Sequence, residues 1–170
     1  MSVNIISKVV ELENCNKEDF IRALYKAEFW ITTNPAKKME AKFIAPNVLY
    51  SKIFDEIVKI PVEMEGELVL QDKGEQSEGK GQLIELNVRN NKDVRELEGN
   101  LRIKTITPTK SKIGVFIKSF TLSSDFLNLI GKNAAELTLR NKITEMLRKL
   151  ERWLKSNSLK DLLQISQVRY

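Results

Sequence analysis

The sequence contains no histidine and a single cysteine, Cys15. Without imidazole, Ser-His-Asp and Cys-His constellations and almost every zinc site lose an essential member, because no other unperturbed side chain changes charge near neutral pH. Most hydrolase chemistry is excluded on that ground. A lone cysteine closes no internal disulfide, and the opening stretch MSVNIISKVVELE has neither the basic start nor the long apolar core of a secretory leader, so the chain reads as cytoplasmic. Charges interrupt every apolar run well short of the ~18 residues of a membrane span, so no transmembrane segment is expected.

What remains is the composition of an ordinary folded domain. The chain has 170 residues, 42% hydrophobic and 30% charged, which argues against disorder, collagen-like repeats and disulfide scaffolds. A domain of this size buries roughly two-thirds of its unfolded surface and needs no metal or disulfide to hold it together. Its net charge is +5, from 28 Lys and Arg against 23 Asp and Glu.

Hydrophobic periodicity divides the chain into three stretches. Val3, Ile5 and Val9 alternate with polar residues, so residues 2–12 are predicted to be a strand. Asn14 or Asn16 can cap a helix that opens on Lys17, Glu18 and Asp19, with Phe20, Leu24, Ala27 and Ile31 at helical spacing and Asn34 and Pro35 ending it; a break or second helix is expected near residue 27. From residue 36 to 122 the period becomes two. Met39, Ala41 and Phe43, then Val48 to Phe54, then Val62, Met64, Leu68 and Leu70 read as strands, followed by a polar turn over Asp72 to Gly81. Ile84, Leu86 and Val88, Leu97, Leu101 and Ile103, and Ile113, Val115 and Ile117 complete an antiparallel meander. Residues 124 to about 156 read as one helix of roughly 45 Å, with Phe126, Ile130, Leu137, Leu139, Ile143, Met146, Leu147, Leu150, Trp153 and Leu154 on its apolar face. Ser158 to Tyr170 form a tail whose Leu159, Leu162, Leu163, Ile165 and Val168 suit either a docked short element or a homodimer contact.

This order, a strand, a short helical pair at Asn16 to Pro35, a run of hairpins and a long helix from Asp125 to Lys155, resembles the START-like superfamily of birch-pollen-allergen-like proteins, lipid-transfer domains and polyketide cyclases. The resemblance is one of layout. It spans residues 2 to about 156, assigning residues 1–157 to the domain and 158–170 to the tail. The chain also resembles uncharacterised members of that superfamily from thermophilic archaea, a likeness with which its Lys and Glu richness and its Leu and Ile loading are consistent. The resemblance implies an α+β helix-grip fold, a curved antiparallel sheet of about seven strands around the long helix, with an apolar cavity between them that holds a lipid, polyketide or isoprenoid-like molecule as carrier or sensor. The cavity lining it implies is Phe20, Leu24, Phe29 and Trp30 on the lid, Phe43, Met64, Leu68, Leu86, Leu101, Ile103 and Val115 on the sheet, and Ile130, Leu137 and Met146 on the helix. The same side chains could simply fill a core. The pollen-allergen branch carries a glycine-rich loop between its second and third strands, whereas the matching turn here, Ile44-Ala45-Pro46-Asn47, has no glycine, which argues against a phosphate cradle.

Other chemistry weighs less. A cyclase or aromatase using the same cavity would draw on Tyr50, Arg102, Thr105 or Ser119 as polar groups, while an interaction protein would fill the cavity with its own side chains. Glu63, Glu65 and Glu67 share one strand face about 7 Å apart, a spacing compatible with paired-carboxylate catalysis, yet Met64, Leu68 and Leu70 claim the inner face and leave the glutamates in water. The turn around Asp72, Glu75 and Glu78 lacks the ligand spacing of a calcium loop, so neither a metal nor another cofactor is expected. Cys15 precedes a helix start that would favour a thiolate, but no base lies near it and a buried filler is the plainer reading. Arg148, Arg152 and Lys155 form a basic stripe diluted by Glu145 and Glu151, which argues against nucleic acid.

Overall fold

The computed structural model describes residues 4–57 and 59–164, with the backbone alone at Phe126. Val3, the side chain of Phe126, Ile165 and Val168, which the periodicity assigns to a strand, a helix face and the tail, lie outside the described residues. The first strand, β1 (Ile6–Glu13), leads into α1 (Lys17–Ala23) and α2 (Ala27–Thr33). The strands β2 (Lys38–Ala45), β3 (Val48–Ile57), β4 (Ile60–Gln76), β5 (Gly81–Arg89), β6 (Val94–Thr107) and β7 (Lys110–Leu122) follow. The chain then enters α3 (Ser124–Ile130), α4 (Lys132–Leu154) and α5 (Leu159–Leu163).

All strand pairs are antiparallel, in the spatial order β1-β7-β6-β5-β4-β3-β2. Hairpins place β2 to β7 side by side in chain order, with Ala45 pairing Val48 and Thr107 pairing Lys110 across two residues each, while β1, separated from β2 by the helical pair, joins the far edge beside β7. Among the described residues five register shifts interrupt the ladders, and each extra residue bends its strand, giving the curvature with which the sheet grips α4. This is the helix-grip fold.

Two expectations are corrected here. The residues expected as a polar turn over Asp72 to Gly81 extend the β4–β5 hairpin instead, with a bulge between Asp72 and Gly74 and a single 3-10 turn at Ser77–Gly79. The expected single helix breaks at Gly131, whose φ of 80° is left-handed and has no place inside an α-helix. The remaining α4 of 23 residues spans about 34 Å.

The helical caps follow from named side chains. Asn16 accepts from the Asp19 amide at the start of α1, as its position suggests. Asn14 has another task. It sits at φ 54°, and its Nδ2 donates to the carbonyls of Leu154 and Asn157 at 2.9 Å each, closing the end of α4 against the β1–α1 turn. Beyond that end, Ser158 and Asp161 form a capping box for α5, which packs on α1 with Leu159 and Leu162 buried.

The closed core occupies one end of the sheet. Leu12, Leu24, Ile84, Ile103 and Ile113 are at most 1% exposed there, packed with the buried Leu150 and Leu154 of α4. Cys15 belongs to the same core: it is fully buried, and burial pushes its thiol up to about 12 despite the neighbouring Ser111 hydroxyl. A thiol held neutral in this way is packing material rather than a nucleophile.

Candidate ligand-binding cleft

At the other end of the sheet the layers part around a cleft of about 320 Å³, within the size range of small-molecule sites. β3 supplies one wall, because its period of two turns Leu49, Ser51, Ile53, Asp55 and Ile57 to the same side. β4 continues that wall with Met64 opposite Ile53 and Leu68 opposite Leu49. Between them Gly66 faces Ser51, and an added Cβ would lie only 2.6 Å from the side chain of Asn91. That asparagine also accepts from the amides of Asp93 and Val94, so the glycine makes room for the residue that orders the β5–β6 turn.

The far wall comes from Val88, Val94, Leu97, Phe120 and Leu122, and the roof from one face of α4: Ala135, Thr138, Leu139, Lys142, Ile143 and Met146, at the three- and four-residue steps of a helix. Trp30 of α2 closes the side nearest the core. Its indole N–H donates to the Leu24 carbonyl at 2.8 Å, and its ring meets Phe29 edge to face at 5.4 Å, so the ring is held in place. Asn34 and Pro35 complete the rim.

An ion pair stands on the wall of this apolar enclosure. Lys142 Nζ lies 2.9 Å from Asp55 Oδ2, with the aspartate side chain only 10% exposed, and donates also to the Pro35 carbonyl at 3.3 Å. Two turns further on, Lys149 donates to the Asn34 carbonyl at 2.6 Å. The two lysines therefore tie α4 to the loop after α2. Glu67 also borders the cleft, but its carboxylate is engaged by Asn90 and Arg89, whose hydrogen bonds hold it below the usual carboxylate range.

Of the residues expected to line a cavity, Trp30, Met64, Leu68 and Met146 border the cleft. Phe20, Leu24, Phe29, Phe43, Leu86, Leu101, Ile103 and Val115 are placed in the closed core instead, since the two ends of one inward sheet face serve different purposes. Leu137 is 54% exposed, because it lies two residues from both Ala135 and Leu139 and so points away from the face they share. Ile130 ends α3, half-buried and away from the cleft.

The four polar candidates all sit outside the cleft. Tyr50 lies on the convex face and donates to Glu65, while Arg102 projects there between the buried Leu101 and Ile103. Thr105 is exposed beside a bulge near the end of β6. Ser119 donates to Glu96 at 2.9 Å on the outside because β7 carries an extra residue, Lys118, where Gly99 pairs with Ile117 and Glu98 with Ser119. That bulge reverses the phase, turning Ser119 out and Phe120 in.

Among the polar groups missed from sequence are Asp55 and Lys142. Both carried a signal: Asp55 shares the phase of Leu49, Ile53 and Ile57, and Lys142 lies four residues before Met146 and three after Leu139. Elsewhere, Glu63 and Glu65 lie outside the cleft, with Glu63 paired to Lys52, and Arg148, Arg152 and Lys155 are exposed on the outer side of α4 and its end. Among the described residues no group of three His, Cys, Asp or Glu side chains is placed to hold a metal, and no helix is long and apolar enough to cross a membrane.

Solved structures similar to the chain include a START superfamily protein from Mycobacterium smegmatis, 16% identical, covering 88% of this chain and 96% of that one at a TM-score of 0.59. A protein from Thermus thermophilus is 10% identical, covering 89% and 97% at 0.66. The Zhui aromatase/cyclase from a Streptomyces species is 11% identical, covering 94% and 93% at 0.56. At these identities the likeness is one of fold. No family model and no curated protein sequence matches the chain.

Proposed function

We propose that this START-like helix-grip domain binds a small lipophilic molecule in the cleft beneath α4, as a carrier or sensor that makes and breaks no bond. The observation that carries this reading is an apolar cleft of about 320 Å³ standing beside a core that is already closed without it. Filling that cleft gains about 25 cal/mol for each Å² of apolar ligand surface removed from water, so a ligand hiding roughly 300 Å² gains about 7 kcal/mol before the costs of association. Hydrocarbon supplies such surface without needing many polar partners. Exchange would proceed where Lys142 and Lys149 hold the Asn34–Pro35 loop, since releasing those hydrogen bonds frees the rim without opening the core.

A titration with an apolar fluorophore such as N-phenyl-1-naphthylamine tests this reading. The expected result is a blue-shifted, enhanced emission that saturates at one probe per chain. Emission that does not change, or rises without saturating, contradicts a defined binding cleft.

A further inference from the structure

We infer that the cleft selects lipophiles that carry a neutral hydroxyl group, docked on the Asp55–Lys142 pair; the inference rests on the lipophile-binding reading above. Among the described residues three charged ones border the cleft, Asp55, Glu67 and Lys142. Glu67 is engaged by Arg89 and Asn90, which leaves the pair formed across the cleft between β3 and α4.

The pair has unused hydrogen-bonding capacity. An ammonium group carries three protons; Lys142 donates one to Pro35 and its Nζ lies 2.9 Å from Asp55 Oδ2, which leaves at least one proton with no partner among the described residues. On the aspartate, Oδ2 stands against the ammonium charge, whereas Oδ1 has no partner among the described residues. A donor and an acceptor therefore stand side by side on a wall whose neighbouring positions, Ile53 and Ile57 on β3 and Ile143 and Met146 on α4, are hydrocarbon. The pair is partly buried, its lysine and aspartate side chains 27% and 10% exposed, and an ion pair drawn out of water adds little stability over well-packed apolar residues of the same size, so stability alone gives weak reason for charge here.

The sign of each charge sets the head group. A hydroxyl accepts from Lys142 and donates to Asp55 at once, satisfying both. A carboxylate accepts from the lysine but faces the aspartate charge, and an ammonium faces the lysine. A ligand with no polar group displaces water from the pair and returns no hydrogen bond, leaving both groups short of a partner.

Displacement of the bound fluorophore by dodecanol, dodecanoate and dodecylammonium at neutral pH, on the full chain, tests the inference. Dodecanol is expected to displace the probe at about tenfold lower concentration than either charged chain. In Asp55→Asn the uncompensated lysine should shift the preference to dodecanoate, and in Lys142→Gln the uncompensated aspartate should shift it to dodecylammonium, by a similar factor. Far-UV circular dichroism and urea unfolding matching wild type show that each variant retains its fold, and the order of the three chains within one variant is read independently of that variant's own affinity for the fluorophore. Equal displacement by the three chains, or an order that stays the same in both variants, overturns the head-group inference while leaving lipophile binding intact. A fluorophore that does not bind the wild-type protein overturns both.

Discussion

Replacing Met146 with tryptophan should abolish fluorophore binding while leaving the protein folded. Met146 stands on the cleft face of α4, half-buried and outside the closed core, so a larger side chain there grows into empty space. Overpacking of a filled interior costs about 1–3 kcal/mol, and that cost falls away where the added atoms meet a void. The indole would occupy volume that the ligand needs. Affinity should fall at least about tenfold, equivalent to a loss of about 1.4 kcal/mol, with far-UV circular dichroism unchanged. Leu137→Trp is the matching control, because Leu137 is 54% exposed on the other side of the helix and its enlargement should leave binding alone. Loss of binding in both variants, or in neither, would place the ligand elsewhere.

Truncation should separate the core from the cleft just as sharply. Ile103 is fully buried at the closed end of the sheet, so Ile103→Ala loses both transfer free energy and packing, at about 3–4 kcal/mol. For a chain of this length that corresponds to a fall of roughly 10 °C in Tm. Leu68, on the same inward side of the sheet but partly buried and bordering the cleft, leaves less of a new cavity behind; Leu68→Ala should cost about 2 kcal/mol, the low end for such truncations, and weaken fluorophore binding as well. Urea unfolding of the two variants checks the difference. Equal losses of stability would mean that the cleft is packed like the rest of the interior.

Both expectations depend on a division that sequence patterning shows only in part. The alternation of Met39, Ala41 and Phe43, or of Ile113, Val115 and Ile117, identifies strands and their inward sides because one buried face imposes a period of two. It does not reveal which stretch of that side meets α1, α2 and the end of α4, and which stretch faces the cleft. Leu86 and Leu68 are alike in pattern, and only the placement of the helices sends the first to the core and the second to the cleft wall.

Local irregularities hide further information. One extra residue at Lys118 exchanges the sides taken by Ser119 and Phe120, and an uninterrupted alternation through Ile117 contains no warning of it. At Gly131 the apolar residues on either side are compatible with one continuous helix, so the break is carried by a single glycine. Asp55 and Lys142 were legible individually, as charges at inward phases, but their meeting was not. It depends on the angle at which α4 crosses β3, a property of packing between elements distant in the chain.

Extraction of the purified protein with organic solvent, followed by mass spectrometry, addresses the proposed role most directly, because a lipophile enclosed by apolar walls leaves slowly and travels with its carrier through purification. The expected result is a lipophilic species in stoichiometric amount, present in extracts of the wild-type protein and missing from those of Met146→Trp. An empty wild-type extract from a protein that also leaves apolar fluorophores unbound would contradict a carrier or sensor role.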